Sequence, residues 1–134
     1  MNTPTHSSEY MLLFRNTNWD QGLSTEEFRR VMDQINAWLD NVNAQGIVKA
    51  GQPLLDGGRL VSGQGRTVVD GPFAESKEAI GGYFLLQADD LEEAVQIAKS
   101  HPALEYGMEI EVREVTDECP KSRRAKELLA YAIV

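Results

Sequence analysis

Asp70 and His101 are the two residues best placed to do chemistry. Asp70 ends a predicted strand, where a carboxylate can act as a general acid or base, and His101 follows a predicted helix, where an imidazole can act as a general base or donate to a ligand. Each also has a structural interpretation. Asp70 can initiate the Asp70-Gly71-Pro72 turn, and His101 can complete a helix end by bonding a free carbonyl, where the dipole favours an imidazolium. A catalytic Asp70–His101 pair is therefore a hypothesis, which requires that the two side chains lie close together in the fold.

Five further side chains are candidates for binding a small molecule. Trp19, in a polar loop, either covers the edge of the core or lines a pocket. Arg59 flanks a predicted hairpin, where it is either a surface arginine or a contact for an anionic ligand. Lys77 belongs to a charged loop that is either solvent-exposed or the rim of a pocket. Tyr83 and Tyr106 are predicted core or interface aromatics with a polar tip.

Several kinds of site lack support in the sequence. Two separated histidines and one cysteine do not form a metal-ligand pattern. The glycine-rich stretches DGG and GQGR lack the strand, loop and helix context of a phosphate-binding loop. We predict no metal and no cofactor, and whether the protein is an enzyme stays open.

Length and charge restrict the class of protein. A chain of 134 residues is one ordinary domain, and its net charge of −8 argues against a nucleic-acid groove or an anionic membrane as the main partner. The basic segment 121–126 is interpreted as a solvent-exposed helix face. No apolar run approaches the roughly 18 residues of a membrane span, and the N-terminus lacks the apolar core of a secretory signal. With a single cysteine, Cys119, the expectation is a cytoplasmic protein.

Hydrophobic periodicity predicts where the helices and strands lie. Residues 25–45 form an amphipathic helix that begins with a capping box at Ser24 and Glu27 and ends before Gly46. A second helix is capped by Asp89 or Asp90 and ends at about Ser100, where Pro102 limits it. The other predicted elements are strands at 9–15, 47–50, 82–88 and 108–115, a hairpin at 59–62 and 66–70, and a C-terminal helix at 121–131.

The resulting order, β-α-β-hairpin-β-α-β, predicts an α+β fold of the ferredoxin-like, split βαβ type, with an antiparallel sheet. Its two long helices cover one face of that sheet. Residues 82–88 are apolar at nearly every position, which indicates a central strand covered on both faces. The simplest cover for the second face is another subunit, so we predict a homodimer.

The segment 70–86, DGPFAESKEAIGGYFLL, resembles the signature of DGPF-domain proteins in the larger YciI-like (YCII-related) family. The similarity continues in the same order through YMLLF, the Trp19 loop, ADDLEEA and HPALEYGMEIEVREV. We assign 1–8 as a flexible tail, 9–116 as the YciI-like domain and 117–134 as a C-terminal helical extension. The resemblance implies a dimeric α+β barrel with a small-molecule pocket near the dimer interface.

The same resemblance implies little about activity. Some YciI-like members resemble small enzymes with a His on the first helix and an Asp before a proline after the second. This chain has no His in 25–45 and carries His101 at the Asp position, so that pair is not carried over. The favoured hypothesis is a dimeric protein that binds an unknown small molecule, with weak catalysis through Asp70 and His101. The alternative is a non-catalytic regulatory or interaction module linked to a sigma-factor system, since DGPF proteins are found encoded beside extracytoplasmic-function sigma factors.

Overall fold

The computed structural model describes residues 8–70 and 79–133, with the backbone alone for 69–70 and 131–133. In these residues the strands are β1 (Ser8–Arg15), β2 (Val48–Pro53), β3 (Arg59–Ser62), β4 (Thr67–Asp70), β5 (Ile80–Ala88) and β6 (Glu109–Val115). The helices are α1 (Thr25–Ala44), α2 (Leu91–Lys99) and α3 (Pro120–Ile133), and a 3-10 turn spans Pro102–Tyr106.

Four strands form the main sheet in the order β2-β5-β1-β6, and every neighbouring pair is antiparallel. With the β3–β4 hairpin set aside as a separate two-stranded sheet, this is the ferredoxin-like order. The predicted α+β class and split βαβ topology are confirmed. β5 is a central strand, as the sequence pattern indicated, and β6 is an edge strand.

The first helix begins and ends where its local sequence dictates. The Glu27 backbone N–H donates to the Ser24 hydroxyl, and the Ser24 backbone N–H donates to the Glu27 carboxylate at 3.0 Å. This capping box satisfies two amide groups that an uncapped helix would leave without partners. The helix stops at Ala44, and Gly46 follows with a φ of 72°. Glycine adopts that left-handed conformation without steric cost, so the predicted end of the helix was correct within one residue.

The second strand was predicted over 47–50, and the expectation that it ends before Gln52 and Pro53 was wrong. Pro53 lies inside β2 and is opposite Gly82 of β5, and the next residue, Leu54, donates its N–H to the carbonyl of Gly81 at 2.9 Å. Proline is tolerated here because β2 is at the edge of the sheet, where an N–H that faces outward has no partner to lose.

The core lies between the main sheet and the helices α1 and α2. Leu12 and Leu86 are fully buried on that face of the sheet, and Val31 and Ala94 are fully buried on the helices. Leu91, by contrast, is 51% exposed. It is the first residue of α2, directly after the Asp90 cap.

No helix formed by the described residues covers the second face of the main sheet. The register places Met11 opposite Leu85, and Leu13 opposite Tyr83. Side chains alternate between the two faces of a strand, so these four side chains lie opposite the buried Leu12 and Leu86. All four are only partly buried. The structure of one chain thus leaves an apolar surface where the sequence analysis predicted a second subunit.

Candidate functional site

A cavity of about 440 Å³ lies between the main sheet and α1, at the end of the sheet where β1 and β2 finish and β5 starts. Its walls come from parts of the chain that are far apart in sequence. They are Phe14, Thr17 and Trp19 near the end of β1; Met32, Ile35, Trp38 and Leu39 of α1; Gln52 and Pro53 of β2; Gly81, Gly82, Tyr83 and Phe84 of β5; and His101 with Met108.

Three glycines allow the walls to approach one another. A Cβ atom on Gly51 would lie 2.4 Å from Cδ1 of Phe84, and one on Gly81 would lie 2.5 Å from Cγ2 of Thr17. A Cβ atom on Gly82 would lie 3.1 Å from the carbonyl oxygen of Gln52. Glycines within strands often mark such close approaches. The adjacent pair Gly81-Gly82 was therefore a signal for the site that the sequence analysis did not use.

Aromatic rings form the inner wall. Trp38 stacks on Phe84 with centroids 5.8 Å apart and an interplanar angle of 6°, and Phe84 meets Phe14 edge-to-face at 5.4 Å. The indole Nε1 of Trp38 donates to the Ser100 hydroxyl at 2.8 Å, and that hydroxyl donates to the Ile97 carbonyl at 2.7 Å. The polar edge of Trp38 is thereby satisfied by α2, and its ring is held as a flat apolar surface.

Trp19 lines the cavity, which is one of the two interpretations made from the sequence. It also stacks on Phe28 of α1 at 6.0 Å and lies 6.3 Å from Tyr106. Because the neighbouring rings hold it from two sides, Trp19 connects the loop after β1 to both α1 and the 3-10 turn. Tyr106 supports this wall and is not itself among the residues that line the cavity.

His101 supplies the only ring nitrogen in the described walls besides the indoles. It is 8% exposed, and its centroid lies 4.7 Å from that of Trp38 and 5.7 Å from that of Phe14. It caps the 3-10 turn, where its Nδ1 accepts the backbone N–H of Ala103 at 3.1 Å. The expectation that His101 bonds a free carbonyl was wrong, because the backbone group that it contacts at this turn is an amide donor, the N–H of Ala103.

Burial lowers the pKa of His101 from 6.5 to about 4, so the ring is neutral at physiological pH. The expectation of an imidazolium held by a helix dipole was also wrong, since desolvation dominates. With Nδ1 serving as an acceptor, the proton of the neutral ring resides on Nε2. The ring lines the cavity, and within the described residues no fully buried side-chain nitrogen lacks a hydrogen-bond partner. His101 therefore offers the cavity an N–H donor.

The structure brings Trp19, Tyr83 and His101 together, and it places the other predicted residues elsewhere or leaves them undescribed. Arg59 is exposed in β3, in the hairpin sheet, and does not line the cavity. Asp70 ends β4 with its backbone opposite Arg59, while its side chain lies outside what the structure describes. Lys77 falls in the undescribed segment 71–78. The Asp70–His101 pair stays a prediction.

The arrangement suits an uncharged, mainly apolar molecule. None of the described lining residues carries a formal charge once His101 is neutral, and the walls are dominated by rings and aliphatic side chains. A charged ligand would lose its hydration here without gaining an opposite charge. Among the residues that the structure describes, no cluster of His, Cys, Asp and Glu could hold a metal ion, and no helix is long and apolar enough to cross a membrane.

Fold and cavity together define a ferredoxin-like α+β protein with a small-molecule-sized site between sheet and helix. Residues 9–118 match the model of the YCII-related domain, so the chain belongs to that family. No curated protein matches the chain. One solved structure similar to this chain is a hydroxynitrile lyase from Passiflora edulis, at 14% identity, with 87% of this chain and 100% of that chain covered and a TM-score of 0.39.

Proposed function

We propose that this protein binds a small uncharged molecule in the cavity, with the body of the ligand against the rings of Trp38 and Phe84. The observation that carries the proposal is the combination of uncharged walls with a single imidazole donor, the Nε2–H of His101. Apolar walls with a few convergent polar groups are the usual composition of small-molecule sites. The ligand would present one hydrogen-bond acceptor, such as a carbonyl oxygen, to His101.

The proposal includes a homodimer formed by the second face of the main sheet. Met11, Leu13, Tyr83 and Leu85 form a partly exposed apolar surface there, and a two-fold partner would bury the same surface twice. Tyr83 is among the residues that line the cavity while its side chain lies on the second face, so β5 forms both part of the cavity wall and part of the proposed interface. The single cysteine supports a cytoplasmic location.

Weak catalysis through Asp70 and His101 is a further part of the proposal. In the described tautomer His101 has no lone pair on Nε2, so its role is to donate to a substrate oxygen, and the acid–base role passes to Asp70. If the Asp70 carboxylate lies close to the His101 ring, its charge favours the imidazolium without taking the Nε2–H from the ligand, and Asp70→Asn should lower the pKa of His101 measured by NMR. An unchanged pKa would show that the two side chains do not pair.

The second candidate is a non-catalytic regulatory or interaction module, in the setting of a sigma factor. The exposed apolar side chains of the hairpin, at Leu60, Val61 and Val68, support it, because exposed apolar clusters often mark contacts with other proteins. A module of this kind would use its surface and leave the cavity without a ligand, whereas the favoured proposal requires that the cavity be occupied.

A thermal-shift screen of small uncharged ring compounds tests the favoured proposal. A ligand at 100 times its Kd adds about 2.7 kcal/mol, which corresponds to a rise in Tm of about 5–10 °C for a domain of this size. Met32→Trp should weaken the shift by narrowing the cavity, and Ala37→Trp, at an exposed position of the same helix, should preserve it. A shift of unchanged size in Met32→Trp would place the ligand outside the cavity.

A further inference from the structure

The described side chains of the C-terminal helix α3 are all exposed. Each of its residues from Pro120 to Ala130 is exposed, including Leu128 at 60% and Leu129 at 63%. A helix of 14 residues is marginal in water unless one face is covered. It also lies outside the segment 9–118 that matches the family domain, so the fold of that domain does not account for it.

Local contacts join residues at the start of α3. The Glu118 carboxylate pairs with Lys126 at 3.0 Å and with Arg123 at 3.5 Å, and the Thr116 hydroxyl accepts the backbone N–H of Glu118. Arg123 and Lys126 lie on one side of the helix. These exposed contacts occupy the side of α3 that lacks the leucines.

The other side of α3 has the pattern of a docking face. Ala125, Leu128 and Leu129 recur at helical spacing, and Lys121 and Arg124 border them. Neither of these two cations forms a salt bridge with any residue that the structure describes. The face is therefore an apolar stripe with two uncompensated positive charges at its margin.

The charge of the chain indicates what covers that face. Residues 120–133 contain four basic side chains and one acidic side chain, whereas the rest of the chain has nine basic and 20 acidic. The body is thus a strongly negative partner for the positive margin of α3, and the same negative body disfavours an anionic membrane. We infer that the Ala125–Leu128–Leu129 face of α3 docks on a second copy of this chain, with Lys121 and Arg124 against its acidic surface.

This contact adds to the sheet-to-sheet dimer proposed above and needs no ligand. It is tested with the full chain by sedimentation velocity over a concentration series. Leu128→Asp should raise the dissociation constant of the dimer by about tenfold or more, because it places a carboxylate in the contact. Ala130→Asp is the matched control, since it adds the same group about 200° away around the helix. It should change the dissociation constant by less than about twofold.

Charge reversal gives a second measurement. Lys121→Glu with Arg124→Glu should weaken the dimer and reverse its salt dependence, so that added salt strengthens association, because the attraction to the acidic body becomes a repulsion. Circular dichroism checks that each variant stays folded, which is expected at exposed positions.

Three results would overturn the inference. The first is a wild-type chain that stays monomeric at every concentration. The second is a Leu128→Asp variant that associates as tightly as the wild type; if Leu85→Asp then dissociates the dimer, the sheet-to-sheet contact stands and the α3 contact does not. The third is flotation of the wild type, but not of Leu128→Asp, with phosphatidylglycerol vesicles, which would make the helix a membrane contact. Ligand binding is measured separately by thermal shift, so either proposal can fail alone.

Discussion

His101 shows how one backbone hydrogen bond determines what a side chain can do. The amide of Ala103 occupies Nδ1, burial keeps the ring neutral, and the proton left on Nε2 is available to a molecule in the cavity. A histidine in this state donates a hydrogen bond and does not take up a proton. This distinction, and not the mere presence of a histidine near a pocket, determines the chemistry proposed for the site.

The depressed pKa of His101 predicts how stability depends on pH. The unfolded chain binds a proton below about 6.5, and the folded chain does so only below about 4. This contribution to stability is therefore fully present above pH 6.5 and is lost as the pH falls toward 4, at up to about 1.4 kcal/mol per pH unit. Urea unfolding between pH 7 and pH 4.5 measures it, and His101→Phe should flatten the curve. An equally steep curve in that variant would assign the effect to other groups.

A substitution at Gly51 gives a second prediction at the scale of a single residue. Gly51→Ala places a methyl group against the Phe84 ring, which must move and will disturb its stacking on Trp38. We expect a loss of about 1–3 kcal/mol from the free energy of unfolding, together with weaker ligand binding. Gly57→Ala, where nothing lies within 4 Å of the new atom, should change stability by less than about 0.5 kcal/mol. Equal effects in the two variants would mean that Phe84 adjusts freely.

At the scale of elements, the helices differ in what stabilises them. α1 has a capping box, a glycine stop and a buried stripe that includes Val31, Trp38 and Val42. α2 is capped by Asp90 and packs through the fully buried Ala94 and through Ala98. No described side chain of α3 is buried in its own chain. The stabilisation proposed for this helix comes from a second copy.

The capping box of α1 gives a prediction at this scale. Ser24→Ala removes the acceptor for the Glu27 amide and should cost about 1 kcal/mol in the free energy of unfolding. Thr25→Ala, one residue later and outside the box, is the control. Thermal denaturation followed by circular dichroism measures the difference. Comparable losses in the two variants would show that the cap contributes little to this helix.

For the whole molecule, the partly exposed second face of the sheet is the feature that a single chain does not explain. If two chains cover it, Leu85→Asp puts a charge into the interface and should convert the dimer to a monomer, as measured by light scattering. Leu91→Asp makes the same change at an exposed leucine of α2 and should leave the mass unchanged. A wild-type chain with the mass of a monomer would contradict the dimer.

Much of the fold could be predicted from the sequence, because it depends on signals between residues that are close along the chain. The capping box at Ser24, the stop at Gly46 and the Asp90 cap all act within one helical turn, and the order of elements then restricts the sheet to few topologies. The prediction for Pro53 failed because proline is excluded from an internal strand but tolerated in an edge strand. The two kinds of strand differ only in whether a second neighbouring strand is present. That neighbour is supplied by the tertiary structure.

The site was less predictable. Trp19, Tyr83 and His101 were named from the sequence, whereas Trp38, Phe84 and the glycines at 51, 81 and 82 were not. Trp38 reads as an ordinary core residue of α1, and its role in a cavity wall depends on Phe84, 46 positions later in the chain. Contacts of that kind leave no local pattern.

The sequence by itself determined the elements, their order and the family, because caps, periodicity and turn residues are local. Only the tertiary structure decided that the strand ends enclose a cavity, that the His101 ring is neutral with Nδ1 occupied, and that α3 lies uncovered. Each of these depends on burial and on partners brought together by the packing of distant segments. Desolvation and the geometry of hydrogen bonds exist only after the chain has folded.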